Sequence, residues 1–254
     1  MYQRYAAVYD GSGQVRYALL AAPYIQELLR SHPLSGRRMI DIACGTGTLA
    51  LLLAGMGWEV LGVDAAPAML AEAEAKASDA ELLGRVAFMQ ADMRALAEAV
   101  PPGIFDLATC LYDSLNYMQD EADLAACFAS AAYALRPGGL YIGDMNTRHF
   151  LEHEWGFCDV REQSGYVQVE QSWFDSITET TTLRLTGFIG DDDQGYERFD
   201  ELHRERAYAD ETVAQLLATS GLRVEGRYDS FTHELPGPRT QRIFWVARKV
   251  ESGE

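Results

Sequence analysis

Between Arg37 and Asn146 five short apolar runs alternate with alanine- and leucine-rich stretches, and this alternation constrains the fold more than any other feature of the chain. The runs are MIDIA (39–43), EVLGVD (59–64), VAFMQAD (86–92), IFDLATCL (104–111) and LYIGDMN (140–146). Each predicts a strand covered on both faces. The segments between them, TLALLLAGMG and PAMLAEAEAKA among them, favour helix by intrinsic propensity. Strands of this kind separated by helices assemble into a parallel sheet with a helical layer on each side. The expected fold is therefore α/β, a doubly wound, mostly parallel sheet.

The flanking segments extend this frame. Residues 15–31 place Leu20, Tyr24 and Leu28 on one helical stripe with Ile25 and Leu29 beside it, and Pro23 is expected to start or kink that helix. From about Tyr166 to Tyr208 polarity alternates residue by residue in YVQVEQSWFD, TTTLRLTGFI and YERFDELHRERAY, with GDDDQG as a turn between the last two. These predict antiparallel strands added to the main sheet. DETVAQLLATSG returns to helix, with Gly221 just past its end. LRVEGRYDSF and RTQRIFWVARKV then predict a hairpin at one sheet edge. The expected organisation is a main domain of residues 1–147 and 207–254, interrupted by an antiparallel insertion over 148–206.

The first apolar run leads straight into Ala43-Cys44-Gly45-Thr46-Gly47 and then into a helix. Ligands of open α/β sheets bind at such carboxyl strand ends, and glycine lets the backbone approach them closely. Asp64 ends the next run, nineteen residues after Gly45, close to the spacing of about 20 for a carboxylate that grips ribose hydroxyls. Asp92 ends the third run, where a carboxylate can accept a hydrogen bond from an adenine amine. Gly45, Gly47 and Ala50 also spell G-x-G-x-x-A, so a nicotinamide-dependent oxidoreductase is a rival reading. Asp41 argues against it. A carboxylate inside the strand before the loop is costly unless paired, and a cationic ligand or the loop's own amides would pair it. A ligand with an adenosine, an ammonium and a sulfonium meets all three acids, and S-adenosylmethionine is that ligand.

Charge excludes other classes. Lys+Arg 21 against Asp+Glu 38 gives a net charge of −17, which repels nucleic acid and anionic membranes. No apolar run approaches the ~18 residues of a membrane span, and MYQRYAAVYD is not a signal peptide. Cys44, Cys110, Cys127 and Cys158 lack paired spacing. The expected setting is the cytoplasm, with a small-molecule acceptor, no nucleic-acid or membrane partner, and a homodimer as a possible assembly.

IDIACGTG, the acid of VDAAPAML, the acid of QADMRAL and LRPGGLYIGD together resemble the class I S-adenosylmethionine-dependent methyltransferases. The resemblance runs from Tyr5 to about Val246. YAAVYD, CLYDSLNYM (110–118) and HRERAY (203–208) resemble a narrower bacterial group that methylates small molecules and includes sugar-amine N-methyltransferases. This implies a seven-stranded sheet with an antiparallel insertion after the fifth strand, S-adenosylmethionine as cofactor and S-adenosylhomocysteine as product. It implies that Ala43, Cys44, Gly45 and Gly47 line the methionine part, Asp64 binds the ribose, and Ala65 and Met69 pack beside the adenine. Asp92 and Met93 would hold the adenine edge, and Leu111 would contact the methionine end. Tyr9 would cover the cofactor from an N-terminal lid, although it reads equally as a core tyrosine. Asp113-Ser114-Leu115-Asn116 stands where base- and glutamine-directed relatives carry D-P-P-Y, which argues against those acceptors.

For catalysis the expected residues are Tyr112, Asp113 and His203, with Asn116, Tyr117 and Arg206 nearby; His203 has the apt intrinsic pKa. Asp113 reads alternatively as a helix cap, and His203 as a surface residue. Trp155, Phe157, Trp173, Phe174 and Phe231 are candidates for an apolar substrate wall, the insertion's core or a dimer contact. A last rival is a zinc hydrolase, since His149-Phe-Leu-Glu152-His153 matches H-x-x-E-H; no metal site is expected, because a long helix with a third ligand is lacking.

Overall fold

The computed structural model describes residues 3–79, 84–155, 158–163, 165–191, 193 and 195–250. Strands β1 (Arg38–Ile42), β2 (Glu59–Asp64), β3 (Val86–Gln90), β4 (Phe105–Cys110) and β5 (Leu135–Asn146) run parallel, as the apolar runs predict. With β10 (Leu222–Asp229) and β11 (Arg242–Lys249) they form one seven-stranded sheet in the order β10-β11-β5-β4-β1-β2-β3. β11 is antiparallel to both β5 and β10, which gives the expected hairpin at the edge. The order reverses between β1 and β4, and the crevice at their carboxyl ends is where such a sheet binds ligands.

Period-two alternation divides the core between the two faces. On one face Ile40, Ile42, Ala108 and Trp245 pack against α5 (Glu121–Ala134) and α6 (Asp210–Thr219). On the other, Met39, Leu107, Phe244 and Val246 meet α2 (Val15–Ser31) and α3 (Thr48–Gly55). α4 (Pro67–Asp79) follows β2. Gly221, at φ +81°, follows Ser220 at the end of α6, the left-handed position that glycine tolerates without a Cβ penalty.

Two details of α2 differ from expectation. Pro23 lies inside the helix, exposed, and does not start it. Leu20 is 57% exposed, so the buried stripe is Ala21, Tyr24, Ile25 and Leu28. Ahead of α2, α1 (Ala6–Tyr9) and a wide helical turn, Asp10–Gln14, bend at Gly13 (φ +96°).

The insertion is also corrected. Its strands do not extend the main sheet but form a second one, β6-β7-β8-β9, all antiparallel. β7 (Tyr166–Asp175), β8 (Thr180–Asp191) and β9 (Gly195–Arg206) match the alternating segments. β6 (Cys158–Gln163) was not foreseen, because CDVREQ is exposed throughout and carries no hydrophobic alternation. β9 lies against a single 3-10 turn, Ser114–Tyr117, that follows β4, so the insertion abuts the crevice end of the main sheet. Among the described residues no helix is long and apolar enough to cross a membrane.

Candidate active site

A cavity of about 760 Å³ opens over the carboxyl ends of β1, β2 and β4, within the size range of small-molecule sites. Its floor is the loop after β1. Ala43 (φ +57°) and Gly45 (φ +55°) are both left-handed there, and Ala43 holds that conformation without being glycine. The loop is tied to β2: Cys44 N–H donates to Val63 O at 3.0 Å, and Gly45 N–H donates to Asp64 Oδ2 at 2.8 Å. Ala66 N–H donates to Asp64 Oδ1, also at 2.8 Å. A carboxylate has about four acceptor sites, so Asp64 keeps capacity for a ligand hydroxyl beyond these amides. Burial raises its pKa, and the amides of Ala66, Gly45 and Ala65 oppose that shift.

The two loop glycines serve different needs. A Cβ on Gly45 would meet nothing within 4 Å and would point into open space, the cradle a ligand needs. Gly47 does not line the cavity. Its Cβ would stand 2.6 Å from the Phe88 ring and 2.8 Å from Ala73 Cβ at φ +72°, so this glycine serves loop packing and not ligand approach.

Asp41 is 2% exposed and lines the cavity floor. The loop amides serve Asp64, so they do not pair it, contrary to one expectation. Thr109 Oγ1 donates to Asp41 Oδ1 at 2.7 Å, and Oδ2 has no partner among the described residues. Burial pushes its pKa up to about 7, with Thr109 opposing and the Asp64 charge adding. An unpartnered buried carboxylate oxygen facing a cavity suits an ammonium ligand.

Ala65, Met69, Asp92, Met93 and Leu111 line the cavity along with Ala43, Cys44, Gly45 and Asp64. Burial raises the Cys44 thiol pKa, which keeps it protonated. Asp92 is clasped by Arg94, whose side chain donates to both its oxygens and holds its pKa below the usual range. Tyr9 lines the cavity from the N-terminal segment. Three residues of that segment that residue patterns did not single out, Asp10, Gln14 and Tyr17, line it too. Asp10 accepts from Thr46 Oγ1 at 2.6 Å and pairs with Lys76; Gln14 accepts from the Tyr112 phenol. Tyr17 stacks on Tyr112 at 4.3 Å.

Of the three expected catalytic residues only Tyr112 lines the cavity. It is left-handed (φ +58°), and burial raises its phenol pKa. Asp113 (φ +54°) makes no side-chain cap to the turn that follows it; its carboxylate is turned away to Arg242, at 2.6 Å. His203 is 3% exposed, so it is not a surface residue, and it stands behind the cavity wall. Its Nδ1 lies 2.9 Å from the Tyr117 phenol, and its Nε2 lies 3.6 Å from Glu201 Oε2. Burial lowers its pKa, with Glu201 opposing. Tyr117 itself lines the cavity.

Asn116 and Arg206 do not line it. Asn116 bonds the backbone at Asn146 and Arg206, and Arg206 donates to Gln119 O. The apolar wall is not built from the expected aromatics either. Trp155 stacks on Phe150, Phe174 lies beside Arg148, Phe231 packs on Tyr24 and Phe244, and Trp173 is 50% exposed; Phe157 lies outside the described residues. In the HFLEH match, Glu152 pairs with Arg148 and His149 with Glu154. Among the described residues no group of three or more His, Cys, Asp or Glu is placed to hold a metal ion.

The sheet order, the glycine loop, the diol-ready Asp64 and the ammonium-ready Asp41 define an α/β enzyme built around an adenosine cofactor with a cationic end. Residues 39–139 match the family model described as a methyltransferase domain. The chain is 33% identical over 230 residues to a protein of Geobacillus sp. (strain WCH70) named as a methyltransferase, covering 89% of this chain and 90% of the relative. It is 26% identical over 228 residues to the dTDP-3-amino-3,4,6-trideoxy-alpha-D-glucopyranose N,N-dimethyltransferase of Streptomyces venezuelae, covering 87% and 91%. The crystal structure of an S-adenosylmethionine-dependent methyltransferase from Clostridium acetobutylicum ATCC 824 superposes with a TM-score of 0.84 at 28% identity, covering 98% of this chain and 99% of that one. The chain belongs to the class I S-adenosylmethionine-dependent methyltransferases, and S-adenosylmethionine is its cofactor. The oxidoreductase and zinc-hydrolase readings are not supported.

Proposed function

We propose that this enzyme methylates the nitrogen of a small-molecule amine bound beside Tyr117. The observation that carries this reading is the row Tyr117–His203–Glu201, a phenol on the cavity wall backed by a buried imidazole and a carboxylate. Methylation of an amine or a hydroxyl releases one proton, which this row can take up; the choice of nitrogen rests on charge and on the amino-sugar relative. The net charge of −17 favours cationic or neutral acceptors, and the Streptomyces venezuelae relative is named for an amino-sugar acceptor.

When bound, S-adenosylmethionine supplies a methyl group on a sulfonium, whose sulfur keeps the electron pair of the broken C–S bond. Asp64 would hold the ribose hydroxyls, with Ala65 and Met69 beside the adenine. Asp92, fixed by Arg94, and Met93 meet the adenine edge. Ala43, Cys44, Gly45 and Leu111 border the methionine part, and Asp41 accepts the ammonium. Tyr9 and Tyr112 exclude water and help align the acceptor, and alignment alone supplies about 7–11 kcal/mol of such a barrier. Tyr117 takes the proton shed by the methylated nitrogen as it passes its own to His203 Nδ1. Glu201 stabilises the imidazolium.

The test supplies the purified enzyme and cofactor with a dTDP-amino sugar and with the matching hydroxy sugar, reading S-adenosylhomocysteine release and the mass gain of one methyl group. Turnover of the amine alone is expected. Tyr117→Phe and His203→Gln should each lower kcat by ~10²–10⁴ while S-adenosylhomocysteine affinity holds. Methylation of the hydroxy sugar alone, or unchanged kcat in both variants, would refute the reading.

A further inference from the structure

The inward side chains of β9 include Glu205, which belongs neither to the cofactor cavity nor to the Tyr117–His203 pair. Glu205 is completely buried. Asn146 Nδ2 donates to its Oε2 at 2.8 Å. Its Oε1 meets no donor among the described residues, and the Asp113 carboxyl lies within hydrogen-bond reach of the Glu205 carboxyl. Two carboxyl oxygens bond only with a proton between them. Asp113 is already committed to Arg242 at 2.6 Å, which leaves that proton to Glu205.

The contact continues toward the cofactor. Arg242 also donates to Asp144 at 3.0 Å. Asp144, wholly buried, accepts the backbone N–H of Tyr112 at 3.1 Å and of Asp113 at 2.8 Å. Those amides belong to two consecutive left-handed residues, a conformation that L-residues keep only when their surroundings over-determine it. Leu111 and Tyr112, on this turn, form the cavity wall.

We propose that Glu205 acts as a neutral carboxylic acid and is a positioning residue: by donating its proton to Asp113 it holds, from the insertion sheet, the turn that walls the cofactor pocket. The charge census supports this. Asp113 and Asp144 already face the single guanidinium of Arg242, and His203 two residues earlier on β9 is held toward its neutral form by burial. An ionised Glu205 would add a third carboxylate to one buried cation, and burial together with Asp113 keeps its carboxyl protonated well above the ordinary range.

Glutamine is the decisive replacement, because its amide donates to Asp113 and its oxygen still accepts from Asn146. Glu205→Gln, Glu205→Ala and the unaltered full-length enzyme are compared by calorimetric titration with S-adenosylhomocysteine and by melting curves from pH 5 to 9. Glu205→Gln is expected to bind within about twofold of the unaltered enzyme, and Glu205→Ala about tenfold more weakly with a cooperative melt. The folded state holds the Glu205 proton longer than the unfolded chain does, so it contributes stability that is lost as pH rises above the ordinary glutamate range. Glu205→Gln lacks that loss, so its melting temperature should gain on the unaltered enzyme toward pH 9. Should Glu205→Ala fail to fold, Glu205→Gln decides through its affinity and its melting slope. Full affinity in a folded Glu205→Ala, a Glu205→Gln that is unfolded or as weak as Glu205→Ala, or parallel melting slopes would each overturn the proposal.

Discussion

Asp41 makes cofactor affinity depend on pH. Its carboxyl is fully buried and has one hydrogen bond from Thr109, and burial pushes its pKa up to about 7. A bound ammonium would pair the vacant Oδ2 and draw the pKa back toward the ordinary carboxylate range, so binding expels a proton below pH 7. Only the ionised fraction is ready to bind, and from pH 8 to pH 5.5 that fraction falls by about 30-fold. S-adenosylhomocysteine affinity should fall by the same factor, equivalent to about 2 kcal/mol. Calorimetric titrations at pH 5.5, 7 and 8, each in two buffers of different ionisation enthalpy, give the affinity and the proton count directly. Nearly one proton should leave at pH 5.5 and about a tenth of one at pH 8. Asp41→Asn should bind weakly at every pH with no proton release. A pH-independent affinity in the unaltered enzyme, or an Asp41→Asn variant that keeps full affinity, would refute the ammonium assignment. The sign for stability is the opposite: a carboxyl raised to about 7 contributes stability that is present below pH 4 and lost as pH rises to 7, so Asp41→Asn should flatten the melting temperature across that window.

Asp64→Ala removes the carboxylate proposed to hold the ribose, whose charge-assisted bonds would be worth about 1.5–3 kcal/mol each, and frees the amides of Gly45 and Ala66. S-adenosylhomocysteine affinity should drop at least tenfold, and unchanged affinity in a titration would mean that the ribose lies elsewhere. The glycines should separate. Gly45→Val should abolish cofactor binding while the protein still melts cooperatively, whereas Gly47→Ala should cost about 1–3 kcal/mol of stability through Phe88 and lower Tm by several degrees. An unchanged melting temperature in Gly47→Ala would show that Gly47 does not serve packing.

The main sheet was legible because its central strands β1, β4 and β5 are buried on both faces; β3, at the edge, is largely exposed against that expectation and was found by its place in the alternation. That Asp41, Asp64 and Asp92 line one cavity was legible for a related reason: they sit at or near strand ends, where register places them without any tertiary knowledge. The Tyr117–His203 contact was not. It depends on β9 meeting the turn after β4, a contact between residues about ninety positions apart. His203 read as a catalytic candidate or as a surface histidine, because a strand's alternation does not say which face is covered; the position of the insertion shows that Leu202 is exposed and His203 buried. Arg242 left one unused signal, a guanidinium opening the buried run IFWVA, which requires a buried counter-charge. Gly47 read as a ligand-lining glycine, and the structure gives it a packing reason instead: a backbone position that needs no side chain reads the same whether a ligand or a phenylalanine excludes it.

The N-terminal segment over the cavity bears on the timing of turnover. Asp10 is bonded to Thr46 and Lys76, and Gln14 to Tyr112, so the roof is fastened to the loop after β1, to α4 and to the turn after β4. A product leaving by that side must first wait for those bonds to break. Changes at Asp10, Lys76 or Gln14 would then act on residence time more than on equilibrium affinity, and two enzymes with the same pocket could differ in turnover only through the strength of these fastenings.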